Sequence, residues 1–126
     1  MKEVLVVEDD IMNLKLICEI LKAEGYTVHY AMNGVEAIDM AKKMLYDLIL
    51  MDIELPRMDG IEATRIIKNI PNYKKVPIIA LTAYAMGGDK ERFLAAGLDD
   101  YIPKPIDVSE FIKKVKNIVL MTNEAG

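Results

Sequence analysis

Five short runs of consecutive apolar residues punctuate the chain, and each is followed by a stretch with helical periodicity. Val4, Leu5, Val6 and Val7 make the first run, valine-rich and without alternation, which reads as a strand buried on both faces. It ends abruptly at Glu8, Asp9 and Asp10. Leu14, Ile17, Cys18 and Leu21 then fall at i, i+3, i+4 and i+7, one face of a first helix, and Gly25 stands where helices commonly end in the left-handed region. Residues 27–31 are β-branched and aromatic, a second strand. Asn33 with Glu36 three positions later resembles a capping box for a helix carrying Ala37, Ile38, Ala41 and Met44. Leu48, Ile49, Leu50 and Met51 form a third buried run closed by Asp52, and a turn-like stretch over 56–60 leads into a helix with Ile61, Ile67 and Ile70. Pro77 opens a fourth run, residues 78–81, closed by Thr82; residues 86–89 loosen the chain before a helix through Phe93 and Leu94 that Gly97 stops. Tyr101 and Ile102 fit a short fifth strand. A final helix, capped by Asp107 with Glu110, would bury Phe111, Ile112, Val115 and Ile118.

Five strand–helix alternations of this length specify an α/β fold, a doubly wound parallel sheet covered by helices on both faces and joined by right-handed crossovers. One domain is expected over residues 1–121, with 122–126 a short polar tail. At 126 residues and 52% hydrophobic, the chain can bury a single sizeable core. Its 20 acidic and 16 basic side chains leave a formal charge of −4, which disfavours direct nucleic-acid binding, where phosphate contacts call for a basic surface. No apolar run approaches the roughly 20 residues of a membrane span, and Glu3 and Asp9 interrupt the region a signal peptide would keep uncharged, so a cytoplasmic protein is expected. Cys18, the single cysteine, has no partner for an internal disulfide and sits on the apolar face of its helix as a core thiol. His29 has no ligand-spaced partners and reads as structural.

The chemistry collects at the strand ends. In an open parallel sheet, ligands bind beyond the carboxyl ends of the strands. Those ends deliver Glu8 and Asp9, Asp52, Thr82 and, after the fifth strand, Lys104. If strands 1 and 3 are neighbours, three carboxylates converge and repel one another unless a cation neutralises them. Mg²⁺ suits such a site, since it takes oxygen ligands and keeps several waters. Acids before the first helix would also stabilise its N-terminus whatever else they do, so Asp9 and Asp10 taken alone are equally well read as caps.

The set Glu8-Asp9, Asp52, Thr82-Ala83 and Lys104-Pro105, in this order, resembles a response-regulator receiver domain of the CheY-like superfamily, and the likeness covers essentially the whole chain. Val7-Glu8-Asp9, the segment 48–56 and Leu81-Thr82-Ala83 further resemble the family's single-domain cell-cycle regulators. The resemblance implies a five-stranded (βα)5 sheet of order 2-1-3-4-5, flavodoxin-like in outline. It implies Asp52 as phosphoacceptor, taking a phosphoryl group from a phosphohistidine of a sensor histidine kinase or a histidine phosphotransferase. Glu8, Asp9, Asp52 and the backbone carbonyl of Glu54 would bind Mg²⁺, for which Mn²⁺ could substitute. Lys104 would pair with Asp52 and then with the phosphoryl group, Thr82 and Ala83 would contact its oxygens, and Tyr101 would follow as the aromatic half of a switch. Glu54 and Tyr84 would tune phosphoryl lifetime, and the Lys104-Pro105 bond is expected cis. Output would run to a protein target through the face of helix 4, strand 5 and helix 5, with Gly87-Gly88 in a mobile loop. On this reading the protein is a bacterial signalling phosphoacceptor, not an enzyme beyond assisting its own phosphoryl transfer and slow autodephosphorylation.

Three other readings fit less well. A haloacid-dehalogenase-type phosphatase also uses a strand-end Asp, and Asp52-Ile53-Glu54 faintly resembles its loop, but its nucleophile follows the first strand and a cap insertion encloses its substrate. A flavodoxin needs hydroxyl and glycine donors after strand 1, where Glu8-Asp9-Asp10 would repel a phosphate. An interaction module working without phosphorylation would leave so complete a site without purpose.

Overall fold

The computed structural model describes the backbone of residues 2–83 and 89–125 and the side chains of 2–83 and 91–121. Five strands and five helices alternate: β1 Glu3–Val7, α1 Ile11–Ala23, β2 Thr27–Ala31, α2 Gly34–Lys43, β3 Leu48–Asp52, α3 Gly60–Lys68, β4 Ile78–Thr82, α4 Asp89–Ala96, β5 Asp100–Pro103 and α5 Val108–Ala125. All pairings are parallel and the order is β2-β1-β3-β4-β5.

Alternation along the three central strands divides the core into two layers, because successive side chains of a strand point to opposite faces. Leu5, Val7, Ile49, Met51, Ile78 and Ala80 pack with Ala37, Ile38, Ile61, Ile67 and Phe93, from α2, α3 and α4. Val4, Val6, Leu48, Leu50, Ile79 and Leu81 face the other way, onto Ile17, Leu21, Phe111 and Val115 of α1 and α5. Burial on both faces explains the unbroken apolar runs of β1, β3 and β4. The edge strand β2 is only partly buried until Ala31.

Helix ends follow their local chemistry. Asp10 accepts from the N–H groups of Met12 and Asn13, Asn33 from Glu36, Asp59 from Glu62 and Asp107 from Glu110. Gly25 and Gly97 follow α1 and α4 with φ of 95° and 102°, the left-handed conformation that leaves a Cβ strained. Three boundaries differ from the periodic reading. Met44 is the C-cap of α2 in extended conformation and Ile70 lies beyond α3, both still packed on the core edge. Leu94 is 53% exposed, with Phe93 beside it taking the buried position in α4. The backbone of α5 continues to Ala125, through residues read from sequence as a tail.

One close approach fixes the floor of the site. The N–H of Gly60 donates to the carbonyl of Ile53 at 3.1 Å, and a Cβ at position 60 would lie 2.2 Å from the Asp52 carbonyl oxygen. Only glycine lets the first turn of α3 press against the end of β3.

Candidate functional site

Parallel strands bring their carboxyl ends to one edge, and single ladder bonds just past those ends place the polar residues. The N–H of Glu8 donates to Ala31 O at 3.1 Å, that of Ile53 to Leu81 O at 3.0 Å and that of Lys104 to Thr82 O at 2.9 Å. The peptide between Lys104 and Pro105 is cis. Pro103, which has no N–H to donate, sits in the edge strand β5.

Glu8, Asp52 and Thr82 are buried at this edge, whereas Asp9 is exposed. The Lys104 ammonium lies 2.9 Å from Glu8 Oε1 and 3.1 Å from Asp52 Oδ1. Asp52 Oδ1 also accepts from the N–H of Glu54 at 2.9 Å, and Glu8 Oε2 from that of Asp10 at 3.2 Å. The two acids before α1 therefore separate: Asp10 caps the helix, while the Asp9 carboxylate joins those of Glu8 and Asp52, with one oxygen from each within 4.8 Å of the others.

Two buried carboxylates sharing one lysine are electrostatically undercompensated. Burial first, then the Glu8 carboxylate beside it, pushes the Asp52 carboxyl from 3.8 up to about 6, although Lys104 pulls the other way. Burial alone would lower the Lys104 ammonium; the hydrogen bond to Glu8 and the charges of Asp52 and Glu8 outweigh it and hold the ammonium above its ordinary value. The buried Glu8 Oε1 has the Lys104 ammonium 2.9 Å away. Hard oxygen donors, excess negative charge and an open mouth on the Asp9 side fit a small divalent cation.

Across the mouth, the Glu54 side chain reaches β4. Its carboxylate accepts from the Thr82 hydroxyl at 3.0 Å and from the Ala83 N–H at 3.1 Å. Tyr101, opposite Ala80 in β5, is half-buried against the α2–α3–α4 layer; its carbonyl accepts from Lys114 Nζ at 2.9 Å, and that ammonium lies 5.0 Å from its ring centroid. Tyr84 and the Gly87-Gly88 segment lie outside the described residues. Among the remaining singled-out residues, Cys18 is partly buried against the α1–α5 layer, where burial raises its thiol above the ordinary value, and His29 pairs with Glu3 at 2.8 Å on the far side of β1 from the acidic edge.

Residues 4–116 match the family model described as the response regulator receiver domain. The chain belongs to the response-regulator receiver family. As a receiver domain it is 44% identical to the polar-differentiation response regulator DivK of Brucella anthropi over 116 residues, 92% of this chain and 94% of that one. DivK of Brucella ovis is 43% identical over the same share. Among solved receivers, that of the sensor histidine kinase PA1611 from Pseudomonas aeruginosa, with a magnesium ion coordinated in its active-site cleft, is 42% identical with a TM-score of 0.86, covering 94% of this chain and 97% of its own. A CheY-like receiver from Methanospirillum hungatei has a TM-score of 0.92 at 30% identity, covering 100% and 99%. The fold is thus the CheY-like one, and this receiver is a two-component signalling protein with polar-differentiation response regulators among its homologues. None of the helices among the described residues is long and apolar enough to cross a membrane.

Three features of the receiver site were not legible in sequence. The Glu8–Lys104 pair, the Glu54 carboxylate on Thr82 and Ala83, and the Gly60 approach to Asp52 all depend on how loops from different strands meet. Only the glycine left a trace, at the start of a helix preceded by the capping residue Asp59.

Proposed function

We propose that Asp52 accepts a phosphoryl group from a phosphohistidine on a sensor histidine kinase or histidine phosphotransferase, and that the modified receiver signals by binding another protein. The observation that carries this reading is the buried Asp52 carboxylate, held at 3.1 Å by Lys104 and grouped with Glu8 and Asp9 at the open edge of the sheet. One Asp52 oxygen attacks phosphorus as the P–N bond to the imidazole breaks, and an acyl phosphate forms. Lys104 orients the attacking carboxylate and afterwards pairs with a phosphoryl oxygen. The Thr82 hydroxyl and Ala83 N–H, donors on the facing strand end, would take further oxygens.

Glu8, Asp9 and Asp52 with the Glu54 backbone carbonyl would hold Mg²⁺, or Mn²⁺ in its place; the Pseudomonas receiver, with magnesium in its cleft, supports this assignment. A bound ion of this kind offsets charge on phosphoryl oxygens, most of what such loose transfers require. Tyr101 would move with Thr82 and alter the α4–β5–α5 face, where a groove of about 440 Å³ lined by Tyr101, Pro103, Phe111 and Lys114 could seat a target. Ile11 and Met12, exposed in the first turn of α1 beside the acidic edge, offer apolar surface to the phosphoryl donor. Slow autodephosphorylation, tuned by Glu54 and Tyr84, would end the signal. The DivK relatives, matched over 94% of their length, support action as a DivK-like response regulator, with the bacterial cytoplasm as its proposed setting.

Acetyl phosphate with Mg²⁺ tests the reading. Intact mass should rise by one phosphoryl group in the wild type and stay unchanged in Asp52→Asn. Equal labelling of both proteins would overturn it.

A further inference from the structure

We infer that Glu54 is an internal stand-in for the phosphoryl group: in the unmodified protein its carboxylate occupies the Thr82 and Ala83 donors, and an arriving phosphoryl group must expel it. The inference rests on the proposed role of Asp52. Both oxygens of one carboxylate are engaged, Oε2 by the Thr82 hydroxyl at 3.0 Å and Oε1 by the Ala83 N–H at 3.1 Å. Thr82 is buried, whereas Glu54 is exposed, so the side chain has given up solvent-side freedom to reach inward. The same residue is tied to the acceptor, because its N–H donates to Asp52 Oδ1 at 2.9 Å. One residue therefore spans the acceptor and the donors that would bind what it accepts.

A carboxylate and a phosphoryl group present the same chemistry to a hydroxyl and an amide: anionic oxygens seeking charge-assisted hydrogen bonds. Each donor has a single proton to give. Placed side by side, the two anions also repel. Apparent affinity for a phosphoryl-like anion is then reduced by the fraction of time the donors are free. Expulsion itself carries little desolvation cost, since the released carboxylate returns to solvent. Glu54 thus sets a threshold against spontaneous activation, a role separate from the rate at which water later attacks the acyl phosphate.

Beryllofluoride, an anion shaped like a phosphoryl group, provides a probe that needs no chemistry and no lifetime. Its affinity, measured by NMR titration at saturating Mg²⁺, should tighten about tenfold in Glu54→Ala, the loss of roughly one charge-assisted hydrogen bond's net worth. Glu54→Gln, which keeps one acceptor oxygen, should fall between. In a Thr82→Ala background the gain from Glu54→Ala should shrink to about threefold, because one shared donor is gone. Unchanged or weaker binding in Glu54→Ala would overturn the inference. So would the same tenfold gain without the Thr82 hydroxyl, which would mean that the charge acts only through its field. Failure of every variant, including the wild type, to bind beryllofluoride would instead strike at the phosphoacceptor reading of Asp52.

Discussion

Replacing Asp52 by asparagine should make the metal-free protein more stable, although it removes the residue on which the proposed chemistry depends. The Asp52 carboxyl stands at about 6 instead of 3.8 because it is buried beside Glu8 with a single shared lysine. A group whose value is raised on folding contributes stability while protonated, below about pH 4, and that contribution is lost as pH rises through about 6. At neutral pH the full gap corresponds to on the order of 3 kcal/mol against the folded state. Solvent at the open Asp9 side screens part of it, leaving about 1–2 kcal/mol. Asparagine keeps the shape and an acceptor for the Glu54 N–H without the charge. Thermal and urea unfolding in chelator at pH 7 should place Asp52→Asn about 4–8 °C above wild type. The advantage should shrink toward pH 4.5, where the wild-type carboxyl is itself largely neutral. Mg²⁺ at about tenfold over its Kd should return roughly 1.4 kcal/mol to the wild type and less to the variant. Equal midpoints in chelator at pH 7, or an advantage that persists undiminished in acid, would refute the electrostatic account.

Three further outcomes follow from other contacts. Lys104→Met should cost on the order of 3 kcal/mol in chelator, by stranding two buried carboxylates, and should drive the Asp52 carboxyl still higher in a carbon-NMR titration; an unmoved titration would deny that Lys104 compensates Asp52. Gly60→Ala should destabilise by about 3 kcal/mol, because its Cβ would meet the Asp52 carbonyl at 2.2 Å, whereas Gly25→Ala, strained in φ but sterically open, should cost about 1 kcal/mol. Equal losses in urea unfolding would remove the argument for close approach. Beryllofluoride with Mg²⁺ should alter amide exchange in β5 and the first turns of α5; no change there would place the output surface elsewhere.

The core elements were legible because burial writes itself plainly into parallel strands. Residues 48–51 carry no polar interruption, since side chains on both faces are covered, and Gly25 and Gly97 marked helix ends by a conformation other residues resist. Helix ends are less legible at Met44 and Ile70, whose apolar character serves packing after the helix has stopped. At the site, residue types at strand ends were enough to assemble Glu8, Asp9, Asp52, Thr82 and Lys104 on one edge. Which of two adjacent acids caps α1 was not decidable from spacing, since either carboxylate could reach an N-terminal amide; Asp10 does so, and Asp9 is left facing the cluster. The reach of Glu54 across the mouth depends on the path of the β3–α3 loop, which a local pattern does not encode.

Asp52, and no other carboxylate at this edge, should become phosphorylated. Trapping the acyl phosphate with borohydride after treatment with acetyl phosphate and Mg²⁺, followed by peptide sequencing, reads the acceptor directly in the unmutated protein. Homoserine should appear at position 52 alone. Homoserine at Asp9 or Asp10, 5-hydroxynorvaline at Glu8, or no reduced residue despite a gain of one phosphoryl group in intact mass, would overturn it.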